Sequence, residues 1–242
     1  MPCGLFAVLV CMACGGGSGG TGGKASPPPP AGHNYTTQFS AAENPINEGG
    51  QWVNGEKTGL LWHDCRTTAN FAFGTQPGTI VFDDSECLLN GTWGTRQQAQ
   101  ATVRIVASDN TPIEEVEIRL RSSITANSST GYEVNCSVKA GNPYMQIVRW
   151  DGGLGSFTPL NSASVGCADG DVLKAIVTGS GTSTVITGFK NGVQQLTTTD
   201  SGCSAAWCSL PGQPGIGFYI QSGSSATNSD FGFSSFSATD QF

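Results

Sequence analysis

Polar and apolar residues alternate with a period of two through much of this chain, the repeat that turns successive side chains of an extended strand to opposite faces. In Glu115-Val116-Glu117-Ile118-Arg119-Leu120-Arg121, Val116, Ile118 and Leu120 point one way and the charged residues the other. This predicts a core beneath the first set and a solvated face above the second. The stretch from Gly131 to Val138 repeats the pattern, with Tyr132, Val134, Cys136 and Val138 inward and Glu133, Asn135 and Ser137 outward. Between the two runs, polar residues Ser122 to Thr130 predict a hairpin loop. A second hairpin is predicted at Asn191-Gly192, flanked by β-rich sequence, because both residue types tolerate the positive φ of a tight turn. The last strands are Ile216-Gly217-Phe218-Tyr219-Ile220 and Phe231 to Ala238. Many short strands punctuated by Gly, Asn and Asp, with no long helical repeat, predict an all-β sandwich or barrel.

Composition supports strands over helices. Only 12% of the 242 residues are charged, and the chain is poor in most strong helix formers. A formal net charge of −7 with eleven thinly scattered basic residues leaves no Lys/Arg cluster for a phosphate backbone, which excludes nucleic acid as an expected partner. No apolar run reaches the roughly 18 residues of a membrane-spanning helix.

The first residues bear on address. Gly4 to Ala13 is a short apolar stretch ending at Cys14, followed by Gly-rich sequence from Gly15 to Gly23 and the run Pro27 to Pro30. A signal-peptide core followed by a flexible and then a stiff spacer fits this order. Ala13-Cys14 resembles a bacterial lipoprotein leader, in which the cysteine is acylated, although basic residues before the apolar core are missing. The alternative is an ordinary secretory leader cut near Gly15. The expected organisation is a leader over 1–14, a linker over 15–33 and one β domain over 34–242, which leaves 242 − 33 = 209 residues to fold. Six cysteines remain there: Cys65, Cys87, Cys136, Cys167, Cys203 and Cys208. In an exported chain an even count predicts a disulfide framework, with fifteen pairings open for six cysteines. Cys203 and Cys208 bracket a short loop that they could close. With His33 and His63 the only histidines, a thiolate metal cluster is the weaker reading.

The run Phe189 to Val193, with Pro214 to Phe218 and Asp230 to Ala238, resembles the closing half of concanavalin A-like lectin/glucanase domains, the laminin-G-like jelly rolls. Phe39-Ser40, Gly49 to Trp52 and the stretch from Arg121 to Tyr132 are similar to bacterial exported members. The resemblance spans roughly residues 34–240 and implies a two-sheet antiparallel jelly roll whose concave face often binds glycans. It leaves open whether this chain is catalytic.

On a curved sheet, Glu117, Arg119, Arg121, Glu133 and Asn135 would hydrogen-bond sugar hydroxyls, with Trp62, Trp150 or Tyr132 as an apolar platform. The alternative is a wet surface of charges paired across strands. Trp52, Trp93 and Trp207 read as packing residues. Glu115 and Glu117, two apart on one face, are the candidate carboxylate pair of a glycosidase. The resembled glucanases carry Glu-x-Asp-x-x-Glu, against which Glu115, Glu117 and Leu120 are a poor match. The neighbouring arginines predict ionised carboxylates unsuited to a general acid. Asp83 and Asp84, beside Ser85 and Glu86, form a candidate calcium site or a solvated turn. The resemblance further implies a structural calcium near the chain ends, for which Glu43, Asn44 and Asp240 are the candidates. His63 beside Asp64 has no marked serine partner for a triad. The expected function is a monomeric module binding carbohydrate or another extracellular polymer. It would be tethered by lipid at the cell surface or in the periplasm, or otherwise secreted. Alternatives are a glycoside hydrolase or polysaccharide lyase on the same scaffold, and a structural or adhesion domain.

Overall fold

Alternating segments become strands because each can bury one side against a neighbour. The computed structural model describes residues 32–78, 84–107, 113–221 and 227–242. In chain order its strands are β1 (Asn34–Thr37), β2 (Trp52–Asn54), β3 (Cys65–Thr68), β4 (Phe71–Gly74) and β5 (Ser85–Leu89). There follow β6 (Gln97–Ile105), β7 (Glu114–Thr125), β8 (Ser128–Ser137), β9 (Met145–Gly152) and β10 (Phe157–Ala163). The chain closes with β11 (Val172–Thr178), β12 (Thr184–Lys190), β13 (Val193–Asp200), β14 (Gln213–Ile220) and β15 (Phe231–Thr239). No α-helix occurs among the described residues, where only short 3₁₀ turns interrupt the strands.

Two antiparallel sheets result, and together they are the jelly-roll sandwich that the sequence predicts. The eight-stranded sheet runs β13-β12-β11-β6-β15-β4-β3, with β1 also paired to β15; the seven-stranded sheet runs β10-β9-β8-β7-β14-β5-β2. Between them lies one apolar core. Val116, Ile118 and Leu120 of β7 meet Ala99, Ala101 and Val103 of β6 and Leu173, Ala175 and Val177 of β11 there. Each of these strands contributes every second residue, as the alternation predicts. Trp52 and Trp93 are buried in the same core, and Trp207 packs on its edge.

The two sheets differ on their outer sides. Strand β11 alternates buried and half-buried positions along its whole length, whereas β7 is buried on both faces from Val116 to Ser122. Something therefore covers the outer face of the seven-stranded sheet at its centre.

The predicted hairpins form, with one difference in length. Asn191 (φ 51°) and Gly192 (φ 77°) make the two-residue turn between β12 and β13. The other hairpin is tighter than its polar sequence suggests. β7 and β8 pair as far as Thr125 and Ser128, leaving only Ala126-Asn127 as the turn. The polar residues of 122–130 are thus strand residues, and a register shift between Leu120 and Ser123 absorbs the extra length. At that bulge Arg121 takes φ 49°. Gly131 faces it at φ 138°, where a Cβ would approach Ser122 Cα to 2.5 Å, so the position has room only for glycine.

Four of the six domain cysteines pair, Cys136–Cys167 and Cys203–Cys208. Cys65 and Cys87 are buried thiols, so the expected framework is joined at two bridges in this structure. The leader, Cys14 and the glycine-proline linker up to residue 31 lie outside the described residues. At the start of the described body, His33 Nδ1 lies 3.1 Å from Asp240 Oδ2.

Candidate functional site

Side chains that alternation turns away from the core gather on the outer face of the seven-stranded sheet. Register sets Glu117 opposite Asn135 and Arg119 opposite Glu133; on the other side Gly217 faces Glu117 and Gly215 faces Arg119. Gly217 leaves room for long neighbours. A Cβ on Gly217 would lie 3.0 Å from Arg119 Nε and collide with Glu117. Arg119 fills that space, donating from Nη2 to Asp84 at 2.9 Å and to Glu117, with Nη1 3.0 Å from Glu133 Oε2. Glu133 is further held by Trp150 Nε1 at 2.5 Å and Asn135 Nδ2 at 2.8 Å.

A lid closes over this layer. The connection from β2 to β3 carries Leu60 and Trp62 onto the sheet, where they join Leu88, Ile124, Val148 and Trp150 in a second, smaller apolar core. Gly59 anchors the connection by accepting a hydrogen bond from Asn127 N–H at 3.3 Å. Trp62 and Trp150 pack edge to face with centroids 4.3 Å apart, and both rings lie within 5.6 Å of the Arg119 guanidinium carbon. Cation–π attraction adds to the ion pairs at such distances.

The predicted wet face is therefore a dry one. Glu117, Arg119, Glu133 and Asn135 are all buried, Arg119 and Trp62 completely. Trp62 is a cover for the charge layer and presents no open platform. Arg121 and Tyr132 do not belong to this face at all. At the bulge Arg121 turns its guanidinium to the carbonyls of Cys208 and Leu210 and to Thr184. Tyr132 points into the main core, where its hydroxyl donates to Asp200 Oδ2 at 3.1 Å.

Removing several carboxyls and one guanidinium from water decides their charge states. Burial drives Glu117 and Asp84 well above the usual carboxylate range; Arg119 opposes this, and neighbouring carboxyls add to the rise. Glu86, also buried here, is raised by desolvation against the pull of Arg119 and the Ser129 hydroxyl. Burial pulls Arg119 down, but the fields of Glu117, Glu133, Glu86 and Asp84 win and hold it firmly protonated. Glu115 is pushed up to about 8, first by desolvation and then by Glu133. Its carboxyl accepts from the Tyr144 hydroxyl, and the residue lines the adjoining cavity while only partly exposed. The predicted pair of ionised glutamates is thus corrected: one cation cannot compensate so many buried carboxyls, and protons do the rest.

Beside the charge layer lies a cavity of about 170 Å³. Its lining mixes apolar Trp150, Phe157 and Val148 with polar Asp84, Glu115, Glu133, Asn135 and Gln146. Of the predicted ligand set it gathers Glu133, Asn135 and Trp150, while Glu117 and Arg119 stay outside its lining. Among the described residues Asn135 Oδ1 has no hydrogen-bond partner. Gln146 and Phe157 escaped the sequence reading. Gln146 shares the parity of Trp150 on β9, a signal that was present, whereas Phe157 reaches the site only because β10 pairs Phe157 with Trp150.

The candidate calcium ligands are dispersed or already occupied. Glu43 Oε2 accepts the amides of Asn47 and Glu48 at 2.8 and 2.9 Å, and Asp240 Oδ2 accepts Gly94 N–H at 2.8 Å. Asn44 lies on a separate open groove with Asp64 and Arg66. Asp83 falls outside the described residues. Asp84, Glu117 and Glu133 do bring carboxylate oxygens within 4.8 Å of one another, but the Arg119 guanidinium already bridges them. A calcium ion there would have to displace a buried arginine, so these residues do not fit the metal.

No family model and no curated protein matches the sequence. Among solved structures, the chain is similar to the potassium-bound carbohydrate recognition domain of Emp46p at 10% identity and a TM-score of 0.54, covering 86% of this chain and 100% of that one. The metal-free form of the same domain gives 9% identity and 0.51, with coverage of 86% and 99%. A xylan β-1,4-xylosidase from Bacillus halodurans C-125 is similar at 12% identity and 0.51, over 84% of this chain but only 38% of that one. At these identities the likeness is one of fold, a two-sheet antiparallel jelly roll.

Two measurements check the charge layer. An acid whose pKa rises on folding stabilises the fold below its unfolded pKa and loses that contribution as pH climbs through the folded value. Between the ordinary 4.5 and about 8 for Glu115, thermal stability is expected to fall with rising pH, and Glu115→Gln should flatten that slope. A Tm that rises steadily over this window would contradict the assignment. Arg119→Met should cost about 3–5 kcal/mol in urea unfolding at neutral pH, because its carboxyl partners stay buried without their cation. The loss should shrink at acid pH, because burial raises Glu117 and Asp84 and a protonated carboxyl needs no cation beside it. An equal loss at both pH values would show that packing, not charge, sets the cost.

Proposed function

We propose that this chain is an exported carbohydrate-binding domain that takes a single neutral sugar residue, such as the end of a glycan, into the cavity beside Trp150. The observation that carries this reading is the mixed lining of the cavity. A sugar ring has an apolar C–H face and a hydroxyl rim, and here Trp150 and Phe157 line the same cavity as Glu133, Asn135 and Gln146. Asn135 Oδ1 is free to accept a sugar hydroxyl, and protonated Glu115 can donate to one. The cavity, at about 170 Å³, is smaller than the roughly 300–1,000 Å³ of drug-sized sites, which suits one ring better than a chain. Among the described residues no cation lines the cavity, since Arg119 is sealed beneath the tryptophans. Acidic sugars are therefore disfavoured.

A second reading, hydrolysis of a glycosidic bond, is favoured by one observation. Glu115 holds a proton at neutral pH in the same cavity as Asp84 and Glu133, which is what a general acid requires. Sequence upstream of the described residues supports the address: an apolar stretch, Ala13-Cys14 and a glycine-proline spacer suit a lipid-anchored domain held away from a membrane. The scattered basic residues argue against a nucleic-acid partner, and the domain is read as a monomer.

A glycan array on the purified protein tests the binding reading. Neutral glycans should be retained and uronate-rich ones not, and Phe157→Ala should weaken the best ligand roughly tenfold, about 1–2 kcal/mol, with an unchanged circular dichroism spectrum. Retention without release of reducing sugar supports binding, turnover supports the hydrolase, and silence in both leaves a structural or adhesion role. For the anchor, Cys14→Ser should move the protein from the membrane fraction to the soluble one, and an unchanged membrane fraction would exclude acylation there.

A further inference from the structure

Cys65 and Cys87 stand outside the ligand cavity and take no part in its chemistry, yet their placement is specific. Cys65 opens β3 in the eight-stranded sheet and Cys87 lies in β5 of the seven-stranded sheet. A single parallel bridge, His63 to Ser85, holds the two segments together just before them. His63 N–H donates to the Asp84 carbonyl at 3.0 Å and Glu86 N–H to the His63 carbonyl at 2.9 Å. Counting two residues on from each side of that bridge arrives at Cys65 and Cys87 together, since 85 − 63 and 87 − 65 are both 22. Asn54 reinforces the approach. It faces Cys87 in the β2–β5 register, and its Oδ1 accepts the Cys65 amide at 3.3 Å. Beyond this point the two segments part into separate sheets, with both thiols buried in the same core and near enough for each to bear on the other's proton affinity.

We propose that Cys65 and Cys87 form a third disulfide, a covalent link between the two sheets at the strands that flank the charge layer. The Cys136–Cys167 and Cys203–Cys208 bridges need an oxidising milieu to form, and the same oxidant meets this pair. The chemistry is exchange with a donor disulfide such as oxidised glutathione or the active-site disulfide of an oxidoreductase. One thiolate attacks the donor, expelling one donor thiolate. The second cysteine thiolate then attacks the mixed disulfide and expels the other. Two cysteine thiols are oxidised to one disulfide, the donor disulfide is reduced to two thiols, and the two cysteine protons pass to the departing thiolates. Both thiols are completely buried in the closed sandwich, and burial raises both above the ordinary thiol range. The exchange must therefore precede closure of the sheets over β3 and β5. The bridge would close a loop of 22 residues and restrict the unfolded chain accordingly. It would also tie Glu86 and Asp84, through β5 and the segment leading into it, to the opposite sheet.

The test is peptide mapping of the full chain refolded with a mixture of oxidised and reduced glutathione. The protein is denatured in iodoacetamide without reductant, digested and analysed by mass spectrometry. The expected result is one cross-linked species joining the Cys65 and Cys87 peptides, lighter by two hydrogens than the sum of the two, with neither cysteine alkylated. Full alkylation of both after oxidative refolding overturns the proposal, as does a link from either one to a different cysteine. Native, reduced protein gives a separate check of the order of events. Once folded, it should resist both alkylation and oxidation at these positions, and rapid reaction there would overturn formation before closure.

Discussion

A guanidinium that water does not reach is the constraint around which the outer face of the seven-stranded sheet is organised. Arg119 leaves the main core with the wrong parity to return to it, and it lies under two tryptophan rings. A buried cation without partners would be prohibitively costly. Its neighbours are accordingly carboxyls from three separate stretches of chain: Glu117 on the same strand, Glu133 on the next, and Asp84 from the start of β5. Even Gly217 of β14 belongs to this arrangement, because a side chain there would intrude on the space beside Arg119 and Glu117.

Once the layer is dry, its chemistry departs from that of surface charges. Burial raises the proton affinity of Glu117, Asp84 and Glu86, and Glu115, at the boundary between the layer and the cavity, is moved into the physiological range. Charge neutrality there is reached partly by ion pairing and partly by protonation. This places a proton donor, an amide acceptor and two aromatic side chains around one small cavity. Such a site offers hydrogen bonds of both polarities without offering a strong net field, a combination suited to polyols rather than to anions.

The two sheets therefore divide their tasks. In the eight-stranded sheet the inner side packs and the outer side meets water, the ordinary economy of a sandwich. In the seven-stranded sheet the centre is enclosed twice, once by the partner sheet and once by the connection carrying Leu60 and Trp62. The lid and the hairpin tip are coupled through Gly59 and Asn127. The site thus depends on segments far apart in the chain, and loosening the lid would wet Arg119 as well as reshape the cavity.

From the order of its residues alone, this chain reveals which side of β7 and β8 faces the core, where its Asn-Gly hairpin turns, and that it folds as an all-β sandwich or barrel. Those features are local: parity along a strand and φ preference at a turn are properties of neighbouring residues. Alternation says which side a residue takes but not what lies above it. Glu117, Arg119 and Glu133 have the spacing of a wet face, and only the arrival of Trp62, more than fifty residues earlier in the chain, makes that face dry. Arg121 is separated from the site by a one-residue bulge, which reverses side-chain direction without altering the composition around it, whereas Tyr132, paired with Leu120, faces the core as its own parity requires. Phe157 joined the site through strand pairing. Tertiary structure decided burial, and through burial it decided charge state and the cavity, because desolvation depends on everything packed around a group and not on its neighbours in sequence.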